Sequence, residues 1–344
     1  MSVFVINPLT DPRWNALVQS HPQASVFHST AWLRALEQSY GYTCEALTTA
    51  KPGEPLTDGL VYCRVQSWLT GARIVSLPFA DHCQPLAGAE GSLEKLVKGL
   101  TKIAGKWKYI ELRPVDSAPI SAGALGLHPS AAFAFHQLDL APDAEAILKS
   151  FHKDHIQRKL RRAEREQLEI VSGNSDALLD SFYSLLMLTR RRHQLPPQPR
   201  SWFKGLIQHF GDDLHIWAAS HQGRAIASIL TLSAPRVEVY KYGCSDATMH
   251  NMGGMQAVMW KAIQFAKQRG AVSFDFGRSD LSNEGLISYK NQWGTVQSTV
   301  TYYRNIAVEH KESAAGSGLA GKVFSILPDP CLAAVGRALY KHMG

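Results

Sequence analysis

Between Leu214 and Ile306 the hydrophobic periodicity changes in an order that few folds accommodate. "LHIWAAS" (214–220), "AIASILTLS" (225–233) and "VEVYKYGCS" (237–245) are rich in β-branched and aromatic residues, and the short turn signals "HQGR" and "APR" separate them. They predict an antiparallel meander. The polar loop "DATMHNMGGM" follows. "MQAVMWKAIQFAKQRG" then gathers Met255, Val258, Met259, Ala262, Phe265 and Ala266 on one helical face, with Gly270 as its left-handed cap. "AVSFDFG" and "STVTYYRNI" (298–306) read as further strands, with a short helix between them. A strand, a crossover helix and a strand in one sheet require a parallel pair joined to the meander. The fold class is therefore α/β with mixed sheets.

The first half follows the same order without the same sequence. "CEALTTA", "GLVYCRVQSW" and "ARIVSLPF" read as strands, "SLEKLVKGLTKIAGKW" as a helix, "KYIELRP" as a strand, and "FAFHQLDL" (133–140) closes the set. With 344 residues, 45% of them hydrophobic, two tandem domains of ordinary size have enough apolar mass for their cores. The expected division is 1–145 and 146–309, with the boundary near "APDAEAI" (141–147). Residues 310–344 form a linker, "ESAAGSG", and a helical tail with Leu332, Val335 and Leu339 in one stripe. That stripe either docks on the protein or lies on a membrane.

Several classes are excluded or disfavoured. The five cysteines lie far apart and form neither a metal spacing nor a disulfide framework. "GCSDA" lacks the second glycine and the immediate helix of a nucleophile elbow, which argues against a hydrolase. The opening "MSVFVINPLTDPRW" has no basic stretch before its short apolar run, and no run reaches the ~18 residues of a membrane span. The expected location is cytoplasmic. The net charge of +7 suits an anionic ligand.

Two segments carry the chemistry. In "HNMGGM", His250, Asn251, Gly253 and Gly254 lie where a loop exposes backbone N–H groups at a helix N-terminus, which favours phosphate; an ordinary loop is the competing reading. In "FDFGRSDLSNEGLISYKNQWG" (274–294), Asp275 lies on the strand face opposite Phe274 and Phe276. A carboxylate at a strand end can take an amine proton, and Lys290 with Arg278 can meet a phosphate or carboxylate. Tyr289 and Trp293 either wall the site or belong to the core, and Asp275 either acts or caps the next turn. The helix at 150–170 offers Arg158, Arg161, Arg162 and Arg165 to phosphates, although interleaved glutamates also suit a solvated, ion-paired face.

At these residues the chain resembles the FemAB-like branch of the GNAT superfamily, including the BioF2-like acetyltransferase domain proteins. "FHSTAWLRALEQSYGY" (27–42), "RKLRRAEREQLEI", "YKYGCSD", "FDFGRSDLSNEGLISYKNQWG" and the tail "ILPDPCLAAVGRALYKHMG" carry the resemblance. It implies two tandem GNAT-like domains, and transfer of an acyl or aminoacyl group to an amine of a cell-envelope or exopolysaccharide precursor. The donor it implies is acyl-CoA or aminoacyl-tRNA. The acceptor is a lipid- or nucleotide-linked sugar or peptide. By the same resemblance, Asp275, Tyr289 and Lys290 are the catalytic candidates. Arg278, Trp293, Tyr242, His250, Asn251, Gly253 and Gly254 are the binding candidates. No metal is required. A non-catalytic binding or assembly protein on the same fold is the alternative, and the tail makes a peripheral contact at the inner face of the cytoplasmic membrane a further expectation.

Overall fold

The computed structural model describes residues 3–88, 91–103, 105, 107–116, 125–307, 324 and 326–344; the "ESAAGSG" linker lies outside them. The chain divides into two compact units. One takes the described residues of Met1–Ala134, Thr299–Glu312 and Leu339–Gly344, and the other those of Phe135–Ser298 and Ser313–Ala338.

The first unit runs β1 (Phe4–Ile6), α1 (Pro12–Ser20), α2 (Thr30–Tyr40), β2 (Thr43–Thr48), β3 (Leu60–Val65), β4 (Arg73–Val75), α3 (Ser92–Ile103) and β5 (Ile110–Leu112). Neighbours β1 to β4 are antiparallel, and β5 returns parallel to β4 with Ile74 opposite Ile110. Helix α2 starts where the Ser29 hydroxyl accepts from Trp32 N–H and stops at Gly41 in the left-handed region. The core is Leu47, Leu60, Tyr62, Ile74, Leu96, Leu100 and Leu112. Strand β4 is shorter than "ARIVSLPF" suggests, because Leu77 and Phe79 take positive φ (66° and 61°) and break the extended run. In β6 (His128–Asp139) the chain passes from this unit to the next, between Ala134 and Phe135.

The second unit contains α4 (Ala144–Ser150), one π turn (Lys153–Gln157), α5 (Arg158–Arg165), β7 (Glu169–Gly173), α6 (Asp176–Arg192), α7 (Arg200–Phe210), β8 (Leu214–His221), β9 (Arg224–Ser233), β10 (Val237–Ser245), α8 (Gly254–Gln268), β11 (Ser273–Asp280) and α9 (Glu284–Asn291). β12 (Val296–Arg304) starts here and ends in the first unit, where Tyr303 pairs with Leu112. Strands β7 to β10 form an antiparallel series, and β11 lies parallel to β10. Each unit thus repeats one plan: an antiparallel meander, a crossover helix and a parallel strand. Val258, Met259, Ala262, Ile263 and Ala266 of α8 pack on Phe274, Phe276 and Trp293 in one buried cluster.

The last helix, α10 (Asp329–Met343), buries Leu332 of its stripe fully and Val335 and Leu339 in part. Within the second unit Leu332 is fully buried, Arg191 donates to the Leu327 carbonyl and pairs with Asp329 at 2.5 Å, and Gly336 sits against the Pro197 carbonyl. Within the first, Tyr340 packs on Phe79, and Arg73 donates to the carbonyls of His342 and Gly344. Among the described residues no helix is long and apolar enough to cross a membrane.

Candidate functional site

The site begins with a fork. Strands β10 and β11 are nine and eight residues long, yet their parallel pairing covers only Val237–Val239 against Ser273–Asp275. Beyond Val239 a β-bulge between Tyr240 and Tyr242 shifts the register of β10 against β9. On the other arm, Asp275 Oδ1 accepts the Gly277 N–H at 2.6 Å, and Gly277 takes φ 69°. Lys290 of α9 donates to the carbonyls of Gly277 (2.9 Å) and Arg278 (3.2 Å). These contacts bend β11 away from β10.

Asp275 and Lys290 are therefore parts of the fork and do not line a cavity: they are 1% and 3% exposed. A strand buried on both faces looks amphipathic when one of its interior groups is a satisfied carboxylate. Arg278 is half-buried and engaged through its carbonyl. Trp293 is a core residue, edge-on to Phe151. Tyr242 turns toward α7, where Trp202 Nε1 donates to its hydroxyl at 2.9 Å and Phe203 packs on its ring.

The cavity, of about 380 Å3, is lined by His155, Lys159, Ile226, Ala227, Ser245, Met249, His250, Gly254, Met255, Gln256, Tyr289 and Gln292. Of the residues singled out in the sequence, Tyr289, His250 and Gly254 reach it. The Tyr289 hydroxyl is buried with no well-aligned hydrogen bond among the described residues; burial pushes its phenol well above the usual range, and the neighbouring Trp293 indole offsets this in part. Leaving such a group unpaired costs about 1–3 kcal/mol.

The floor is the start of α8. Gly253 takes φ 80°, and a Cβ there would fall 2.2 Å from the Lys159 carbonyl oxygen, so only glycine lets the loop approach α5 this closely. No side chain caps the helix. Lys159 Nζ holds the carbonyls of His250 (3.2 Å) and Asn251 (3.1 Å). Asn251 thus serves through its backbone.

At the end of β10 the Ser245 hydroxyl lies 2.7 Å from His250 Nε2. Thr189 fixes this serine, accepting its N–H at 3.0 Å and donating to its carbonyl at 3.3 Å. Desolvation, followed by the charges of Arg192 and Lys159, lowers the His250 pKa and keeps the imidazole neutral. A wider groove of about 670 Å3, lined by His152, His155, Glu284, Ser288, Asn291 and Gln292 among others, shares His155 and Gln292 with the cavity. Among the described residues no group of three or more His, Cys, Asp or Glu is placed to hold a metal ion.

Lys159 and Gln292 were not singled out in the sequence, Ser245 was weighed there only as part of "GCSDA", and His155 only beside His152 as a weak metal pair. Their signal is tertiary: α5 and α9 come from opposite ends of the unit, and Ser245 acquires significance only beside His250.

A meander, a crossover helix and a parallel pair, with a cavity between the end of β10, the start of α8, α5 and α9, make up this α/β unit. Residues 150–291 match the acetyltransferase (GNAT) domain family. Over 160 residues the chain is 27% identical to a UDP-N-acetylmuramoylpentapeptide-lysine N(6)-alanyltransferase of Weissella viridescens, covering 45% of this chain and 47% of that protein. Over 95 residues it is 27% identical to a lipid II:glycine glycyltransferase of Staphylococcus saprophyticus, covering 26% and 23%. The matches thus span about half the length of the first of these curated relatives and about a quarter of the second. In structure the chain is similar to FemX (TM-score 0.71, 15% identity, 89% of this chain and 98% of that one). It is also similar to a tandem GNAT protein from the clavulanic acid biosynthesis pathway (TM-score 0.55, 10% identity, 90% and 100%). Residues 150–291 are thus similar to a GNAT domain, and the fold of the chain is similar to that of FemX.

Proposed function

We propose that this protein is an N-acyltransferase that moves an aminoacyl group from an activated ester to an amine of a cell-envelope precursor. The observation that carries the reading is the cavity that Tyr289 lines together with His250, Ser245 and the start of α8. The names of the two curated relatives, an alanyltransferase and a glycyltransferase of peptidoglycan precursors, support the acceptor class.

The chemistry asks little of the protein. A neutral amine attacks the donor carbonyl, the amine loses a proton, and the leaving oxygen gains one. Tyr289 is placed to donate its hydroxyl proton to the leaving oxygen. His250 is neutral and hydrogen-bonded to Ser245, and is placed to take the amine proton. The start of α8 supplies positive potential for a donor phosphate. Asp275 and Lys290 hold the fork open, and their role is positional.

For the donor we favour aminoacyl-tRNA over acyl-CoA. The Lys159 carbonyl lies on Gly253 and the Lys159 ammonium already serves two loop carbonyls, which crowds the place a coenzyme A diphosphate would need. Arg158, Arg161, Arg165 and Arg192 are exposed on α5 and α6, a surface suited to a larger polyanion. Single-turnover assays with aminoacyl-tRNA, and in parallel with acyl-CoA thioesters, on a nucleotide-linked muropeptide carrying a free amine test the reading. Transfer from aminoacyl-tRNA alone is expected. Transfer from the thioester alone overturns the donor assignment. No transfer from either, despite acceptor binding, favours a non-catalytic assembly protein.

A further inference from the structure

The turn between β3 and β4 presents Trp68 at 82% and Leu69 at 52% exposure, consecutive and pointing into solvent. It is not a loose tip. The Ser67 hydroxyl accepts the N–H groups of Leu69 (3.1 Å) and Thr70 (2.9 Å), Gly71 N–H returns to the Ser67 carbonyl, and Thr70 donates to the His342 carbonyl at 2.9 Å. The Trp68 ring meets the edge of His342, and Met343 beside it is half-exposed. An ordered turn that displays a tryptophan and a leucine to water retains them for a partner.

The charge around the turn selects that partner. The Lys108 stem lies against Gly71, and Lys341 precedes His342; neither lysine forms an ion pair among the described residues. Glu45, on the pocket wall that Lys341 also lines, is tied to Arg64 at 2.7 Å and does not neutralise them. Indole and leucine beside free ammonium groups match the interface of an anionic bilayer, where the ring sits at headgroup depth and lysines meet phosphates.

We propose that the Trp68–Leu69 turn, with Met343, Lys108 and Lys341, is a peripheral membrane contact that inserts into an anionic lipid surface. This contact is separate from the α10 stripe, which the protein itself covers in part. It does not depend on the transfer chemistry, because the readout is binding.

The test is co-sedimentation of the full chain with vesicles of equal parts phosphatidylglycerol and phosphatidylcholine, against pure phosphatidylcholine. The wild-type chain should pellet with the anionic vesicles only. Trp68→Ser with Leu69→Ser should weaken binding about ten-fold or more with unchanged thermal unfolding, since both side chains are solvated in the free protein. Lys108→Gln with Lys341→Gln should weaken it about 25-fold, at about five-fold per lysine, and flatten its salt dependence. Equal pelleting of the Trp68/Leu69 variant and the wild type overturns the proposal. So does failure of the wild type to bind anionic vesicles. If light scattering then shows a wild-type dimer that the same variant abolishes, the turn is a contact between two copies instead.

Discussion

Lys290 is the sharpest point of test, because two roles predict opposite measurements. Its ammonium is almost fully buried and donates to the carbonyls of Gly277 and Arg278. Lys290→Met keeps most of the volume and removes both bonds. Hydrogen bonds from a charged donor contribute about 1.5–3 kcal/mol each, while relief of the ammonium's desolvation offsets part of that loss. A net destabilisation of roughly 2–4 kcal/mol remains. For a protein of this size each kcal/mol moves the unfolding midpoint by about 2–4 °C, so the expected fall is roughly 5–15 °C. Differential scanning calorimetry reads it, and titration with a non-hydrolysable donor analogue reads affinity in the same variant. The clamp predicts a large fall in midpoint, with β11 relaxing toward β10. An unchanged midpoint with affinity reduced about ten-fold or more would refute the clamp and return Lys290 to the ligand.

Three further outcomes follow from the geometry. Tyr289→Phe should lower turnover by about 10²–10⁴-fold while the unfolding midpoint holds or rises, because the lost hydroxyl makes no well-aligned hydrogen bond; full activity in steady-state assays would remove Tyr289 from the proton path. Gly253→Ala combines a positive φ with a contact at 2.2 Å on the Lys159 carbonyl, so a loss of about 1–3 kcal/mol in urea unfolding and weaker donor binding are expected together. Burial pushes His28 down to about 4, in a neutral form whose Nε2–H reaches the Gln84 carbonyl at 2.8 Å while Nδ1 accepts the Ser25 N–H. Its folded pKa lies below the unfolded 6.5, so the unfolded chain binds the extra proton. Stability should therefore fall by about 3 kcal/mol as pH drops from 6.5 to 4, and His28→Gln should flatten that slope in urea titrations at the two pH values.

The sequence was most legible where one periodicity ran uninterrupted. Strand β10 coincides with "VEVYKYGCS", and the Gly270 stop of α8 was visible as glycine after an amphipathic run. Helices α6 and α7 were not anticipated, since "SFYSLLMLTRRR" mixes its apolar residues around the barrel of the helix. Of the site candidates, Tyr289 and His250 stand beside turn signals in the sequence and line the cavity in the structure. Asp275 and Lys290 were conspicuous for the right reason, a charged group among aromatics, but such a group marks a satisfied interior as readily as a reactive surface. Only the contacts to Gly277 distinguish the two. Ser245 and Lys159 needed the tertiary structure, because their partners lie on other elements.

The bulge in β10 has a consequence for how such a protein changes over time. Tyr240 pairs with Thr231 and Tyr242 with Leu230, so Lys241 is the one supernumerary residue in an otherwise continuous ladder. Loss of that single codon would let β10 run straight along β9 and close up against β11. Such a chain would carry Ser245 at a different place relative to α8 and would reshape the cavity that Ser245 lines. In this architecture the length of one strand sets how far β10 diverges from its parallel neighbour.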